Sequence, residues 1–357
     1  MNIPLFDLKR IIKQYEEELR DTFDACLDHS RFVMGPEVGC FEAAFAKKTN
    51  SEHCISSSSG TDALLSIFMA ADLEPGSEIL VPSFTFVASA SSIVRAGLKP
   101  VFVDLEKNSF HPSVNTIKDA WTKNTKGVLF VHLFGEPEDL GPIKELCDER
   151  GAILIEDCAQ SYGSTAGQTG LASAYSFFPA KNLGCLGDGG AVTTDDLSFA
   201  KKIKTIRTHG SNVKYSYETL GGNFRMDTIQ AGFLNVLLKY VDSWIHARHQ
   251  NAEYYTSSLS GIPDLSLPRG CDGHAWNQYT LRTSKRDALK DYLDKNGIGN
   301  AVYYPIPLHE SHHIFGSSNI LPETDKRCSE VLSIPIYPGL KEGEREVVSD
   351  KIKEFFK

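Results

Sequence analysis

Short apolar runs rich in β-branched residues alternate with amphipathic stretches along the first part of the chain. Ile79-Leu80-Val81, Pro100 to Asp104, Val128 to Leu133, Ile153-Leu154-Ile155 and Ala191 to Thr194 carry almost no polar face. Strands of that kind are covered on both sides, which points to an α/β fold with a mostly parallel sheet sandwiched by helices. The intervening periodicity predicts helices over 62–71, 88–96 and 141–150. A longer periodic stretch begins near Arg225 and runs through Ile229, Phe233, Val236, Leu237, Tyr240 and Trp244 toward Tyr255. It predicts a single long helix. The pattern then changes to a strand at 278–282 and helices over 286–296 and 344–356, as in a smaller α+β domain. The expected division is a large domain over 1–245 and a small C-terminal domain over 246–357, with the N-terminal segment packing on the small one.

In sheets of this type ligands bind beyond the carboxyl ends of the strands, and the candidate chemistry concentrates there. The 153–155 strand runs into Glu156-Asp157-Cys158-Ala159-Gln160. A second apolar strand, Tyr175 to Phe178, leads through Pro179-Ala180 to Lys181-Asn182. A carboxylate and an amine so placed suit opposite ends of a pyridine cofactor: the acid keeps a ring nitrogen protonated, and the amine forms an imine with an aldehyde. Singly, each is commonplace as a turn cap or a solvated surface charge.

Ser56 to Asp62 offers small residues at a helix N-terminus, which reads equally as a phosphate cradle or a serine-rich cap. Ser176 adds a hydroxyl before Lys181. The glycines of Gly184 to Gly190 are expected to permit tight turns, since no GxGxxG follows the first strand. Phe86, after the 79–81 strand, reads either as a stacking face for a flat ring or as core.

Composition narrows the classes. The 357 residues are 41% hydrophobic and 23% charged, enough for one large core and a smaller domain. A formal net charge of −9 with no basic run argues against nucleic-acid or membrane-surface partners. The eight cysteines form no CxxC pair and no zinc-like spacing, so reduced thiols and no metal are expected. Asp7, Lys9 and Arg10 stand where a signal peptide needs an apolar core, and no apolar run approaches membrane-spanning length. A cytoplasmic enzyme is expected.

Together these segments resemble the DegT/StrS family of sugar-nucleotide aminotransferases, pyridoxal phosphate (PLP) enzymes of the aspartate-aminotransferase fold. The resemblance covers nearly the whole chain: Ile3 to Leu8, Gly35 to Val38, Ser59 to Leu64, Pro82 to Ala88, Glu156 to Gln160, Ser176 to Gly184, Gly187 to Gly190, Gly222 to Asp227 and Tyr304 to His309. It implies that Lys181 forms the imine with PLP and moves protons at the substrate carbon. It further implies that Asp157 holds the ring nitrogen, Gln160 reaches the ring hydroxyl, Phe86 stacks on the ring, and Gly60, Thr61 and Ser176 bind the phosphate. Asn223 would reach the phosphate in a neighbouring subunit, which implies a homodimer with shared active sites.

L-glutamate would leave its nitrogen on the cofactor as pyridoxamine phosphate, which then aminates a keto-sugar nucleotide for amino-sugar and surface-polysaccharide biosynthesis, as in lipopolysaccharide O-antigen. Some relatives replace the lysine with histidine and act as dehydratases, so Lys181 favours transamination. Asn223 to Asp227, with Lys214-Tyr215, looks more like relatives acting on 3-keto hexoses carried on UDP or dTDP; a 4-keto acceptor is the alternative. Glu310-Ser311 departs from the family pattern near the sugar edge. Candidate substrate contacts are Lys214, Tyr215, Arg225, Tyr304 and His309, with His209 beside them; an interface aromatic or an ordinary hydrogen-bonded histidine is the plain alternative. A PLP-binding regulatory protein and a PLP dehydratase are the competing classes. A nucleotide oxidoreductase lacks its glycine fingerprint.

Overall fold

The computed structural model describes residues 2–316 and 319–357. Its centre is a seven-stranded sheet formed by β1 (His53–Ser57), β2 (Glu78–Pro82), β3 (Lys99–Val103), β4 (Thr125–Val131), β5 (Ile153–Asp157), β6 (Ala172–Ser176) and β7 (Gly190–Thr194), in the order β1-β7-β6-β5-β4-β2-β3. Only β7 runs against its neighbours. The absence of a polar face in the strands has the expected cause. Along β4, Leu129 packs into the cluster beneath helices Gly60–Ala70, Val87–Arg95 and Leu197–Arg207, while Val128 and Phe130 enter the opposite cluster with Ile143 and Leu146 of helix Gly141–Glu149. Each side of the sheet therefore buries alternate residues of the same strand.

Three sequence expectations are corrected. The strand near 175 is Ala172–Ser176, so Phe177 and Phe178 already lie outside it; Phe177 N bonds Gly189 O and Cys185 N bonds Phe177 O, turning the chain away from the sheet. The single helix from Arg225 is two, Thr228–Leu237 and Val241–Leu259. Tight turns from Lys239 N to Val236 O and Tyr240 N to Leu237 O break it, although the apolar pattern continues across the break. The glycines between 184 and 190 are not in the left-handed region. They serve close approach: a Cβ on Gly190 would overlap the Ser59 carbonyl.

The second unit has its own core, in which Tyr255, Tyr279, Leu289, Leu332, Val348 and Ile352 are buried around the two-stranded sheet β8 (Tyr279–Arg282) and β9 (Val331–Ile334). Ile3 belongs to this core and bridges Ile298, and Arg10 pairs with Glu344 at 2.7 Å. Helix Val241–Leu259 joins both units. Val241 and Trp244 pack in a large-domain cluster, whereas Ala252, Tyr255 and Leu259 pack in the small one, so position 245 falls inside a continuous helix. No described helix is long and apolar enough to cross a membrane.

Candidate active site

The carboxyl ends of β1, β5 and β6 and the start of β7 meet at one edge of the sheet, with Ser57 and Ser176 both opposite Gly190. Beyond that edge lies a cavity of about 470 Å³ lined by Gly60, Thr61, Phe86, Asp157, Gln160, Ser176, Lys181 and Tyr304, together with Ser59, Thr85, Asp188, Asn277 and Gln278. The fold thus brings together residues that lie far apart in the chain, including seven of the eight expected cofactor contacts.

Asp157 ends β5 and is 5% exposed. Its Oδ2 accepts from Ser89 Oγ at 2.8 Å and its Oδ1 from Ala159 N at 3.1 Å, while Thr85 Oγ1 lies 3.1 Å from Ser89 Oγ. Burial raises the proton affinity of this carboxyl, and the Ser89 hydrogen bond opposes the rise. Lys181 follows β6 in the turn closed by its own N–H to Phe178 O. Burial pushes its amine down to about 8, with the Asp157 charge acting in the other direction. An amine so lowered is available as a nucleophile near neutral pH.

Ser59 caps helix Gly60–Ala70 by accepting from Asp62 N at 3.1 Å, leaving the first amides of the helix facing the cavity, where an anion is favoured. Gly60 is required by contact: a Cβ there would sit 2.7 Å from Ser176 Cβ. Phe86 is 55% exposed, leaving a flat apolar face open to a ring. Gln160 accepts from Phe134 N at 2.7 Å and donates to Tyr304 at 3.2 Å.

The remaining candidates lie elsewhere. His309 is buried between Ser83, 2.9 Å from its Nδ1, and Asp325, 3.3 Å from its Nε2, and does not line the cavity. Its imidazole fastens the 308–310 turn to the end of β2. Asn223 is exposed and bridges Thr208. Lys214 and Tyr215 are exposed at the tip of the 210–222 projection, with Lys214 Nζ 5.0 Å from the Tyr215 ring centre. Arg225 is half-buried and outside the cavity lining.

Ser89 and the Asn182–Asn277 pair were not singled out from sequence. Asn277 Nδ2 donates to Asn182 Oδ1 at 3.0 Å and Asn182 Nδ2 to Ala275 O at 2.8 Å, tying the segment after Lys181 to the small domain. The only sequence signal for Ser89 is the small-residue run Ala88 to Ser92, of which Ser89 and Ser92 are buried in helix Val87–Arg95.

Comparison with known proteins gives a consistent picture. The model of the DegT/DnrJ/EryC1/StrS aminotransferase family matches residues 13–353. A Geobacillus stearothermophilus protein named pleiotropic regulatory protein is 40% identical, over 100% of this chain and 99% of the relative. The dTDP-3-amino-3,4,6-trideoxy-alpha-D-glucose transaminase of Streptomyces venezuelae is 36% identical, over 99% of this chain and 96% of its own. The solved structure of S. venezuelae DesV superposes with a TM-score of 0.96 at 36% identity, covering 100% of this chain and 99% of that one.

Proposed function

The chain belongs to the DegT/DnrJ/EryC1/StrS aminotransferase family, and on that premise we propose that it transfers an amino group from L-glutamate to a keto-sugar nucleotide, with PLP bound between Asp157 and Lys181. The carrying observation is that these two residues, from the ends of different strands, face one cavity whose other end is the anion-binding helix start at Gly60. The fit is chemical as well as steric. A buried carboxylate suits a ring nitrogen, an amine lowered to about 8 suits an aldehyde, and the Gly60–Ser176 contact leaves small groups and amides against a phosphate.

Once bound, PLP supplies the electron sink. Asp157 would hold a proton on the ring nitrogen, and Ser89 Oγ, donating to Oδ2 at 2.8 Å, helps keep the carboxylate charged and aimed. Lys181 Nζ would move the proton at the substrate carbon; an amine near pKa 8 is matched to that task at neutral pH. Phe86, which lines the cavity and is 55% exposed, would cover one ring face.

The acceptor favoured is a 3-keto hexose on UDP or dTDP, as the 223–227 segment suggests and as the 3-amino sugar in the name of the Streptomyces venezuelae relative supports. The protein would act in the cytoplasm as a homodimer, with Asn223 and the 210–222 projection completing the site of the other subunit, in amino-sugar and surface-polysaccharide biosynthesis. The test supplies L-glutamate and a panel of 3-keto and 4-keto sugars on UDP, dTDP and GDP, with products identified by mass spectrometry. A 3-amino product is expected. Amination only at the 4-position selects the alternative acceptor, release of nitrogen as ammonia selects a dehydratase, and no turnover with bound PLP selects a regulatory protein.

A further inference from the structure

We propose that Tyr304 belongs to the cofactor rather than to the sugar: it adds a second hydrogen-bond donor, beside the Gln160 amide already expected there, for the ring oxygen of bound PLP. This inference rests on the PLP reading above. The orientation of the Gln160 amide is dictated by Phe134, whose main-chain N–H can only donate and lies 2.7 Å from Oε1. Nε2 therefore faces Tyr304, and the hydroxyl accepts from it at 3.2 Å. A phenol that accepts from an amide keeps its own proton for another partner. Gln160 likewise keeps one N–H.

The arrangement is held from several sides. Phe134 has φ of 60° and is followed by Gly135 at 89°, a turn in which Leu133 N bonds His111 Nε2, Asn277 N bonds Phe134 O and Ala275 N bonds Gly135 O. Gly135 lies against Gln160, where a Cβ would approach the Gln160 carbonyl to 2.9 Å. On the other side, the Tyr304 ring packs 6.2 Å from Phe86 and 6.2 Å from Phe84. Burial, with the Asp157 charge adding to it, raises the Tyr304 hydroxyl above its ordinary pKa, so it stays a donor across the working range. The two donors share their cavity with Asp157 and Lys181.

Donors at the ring oxygen hold negative charge there and so favour loss of the proton shared between that oxygen and Lys181 Nζ. The test is a pH titration of the visible absorbance of the PLP-loaded protein with no sugar present. Tyr304→Phe should move the midpoint upward by about one unit, the size expected for one hydrogen bond to a charged acceptor. Gln160→Leu should move it in the same direction and serves as the positive control; should Tyr304→Phe bind PLP weakly, its midpoint is read at saturating PLP. An unmoved or lowered midpoint, with only the sugar KM raised, overturns the proposal and returns Tyr304 to the substrate. Absence of any visible band in the wild-type protein instead overturns the PLP reading beneath it.

Discussion

Lysine and tyrosine occur together in two regions of this protein under opposite conditions. Lys181 and Tyr304 line the cavity at the sheet edge, where burial lowers the amine to about 8 and raises the phenol. Lys214 and Tyr215 stand on the 210–222 projection, the tyrosine 78% exposed, with Val213, Tyr217 and Leu220 exposed beside it. In the cavity, burial is what shifts the two groups. On the projection they retain apolar surface open to a second molecule. On the proposed function the cavity would carry the chemistry, and the projection suits recognition across the proposed dimer.

The sharpest way to break that contrast is to fill the cavity. Gly60→Ala places a methyl against Ser176 and should weaken PLP binding by about ten- to a hundredfold, since overpacking costs about 1–3 kcal/mol; equilibrium dialysis measures it. Ser89→Ala should lower kcat about tenfold by removing one hydrogen bond to a charged group. It also has a signed pH effect. Asp157 must be ionised, its carboxyl is already raised by burial and Ser89 opposes that rise, so losing Ser89 moves the acidic limb of the activity profile to higher pH. Reductive labelling of the cofactor-free protein should show Lys181 reacting with a midpoint near 8, whereas an ordinary lysine reacts near about 10.4. Smallest is Tyr215→Ala: monomer stability should change by no more than about 0.5 kcal/mol in urea unfolding, while the sugar-nucleotide KM rises and the glutamate half-reaction is unchanged.

The strands were legible because two-sided burial strips them of polar positions, and Asp157 and Lys181 were legible because one ends an apolar strand and the other lies in the turn after another. Other features are tertiary. The break after Leu237 is invisible in a pattern that continues through Leu238 and Val241, both buried, and the half-buried Tyr240. His309 looked like a site residue because its segment does, yet its two ring nitrogens are spent on Ser83 and Asp325. The Gln160–Tyr304 contact joins residues 144 positions apart, and Gly190 answers to Ser59 at the end of a strand pair. No local pattern encodes such neighbours.

The most direct measurement is the absorbance spectrum of the protein with PLP, before and after L-glutamate, in wild type, Lys181→Ala and Lys214→Ala. The account predicts a visible band in wild type that glutamate bleaches and a keto-sugar nucleotide restores. It predicts the same glutamate response in Lys214→Ala and none in Lys181→Ala. A wild-type protein that forms no band with saturating PLP, or a Lys181→Ala protein that responds to glutamate as wild type does, would contradict it.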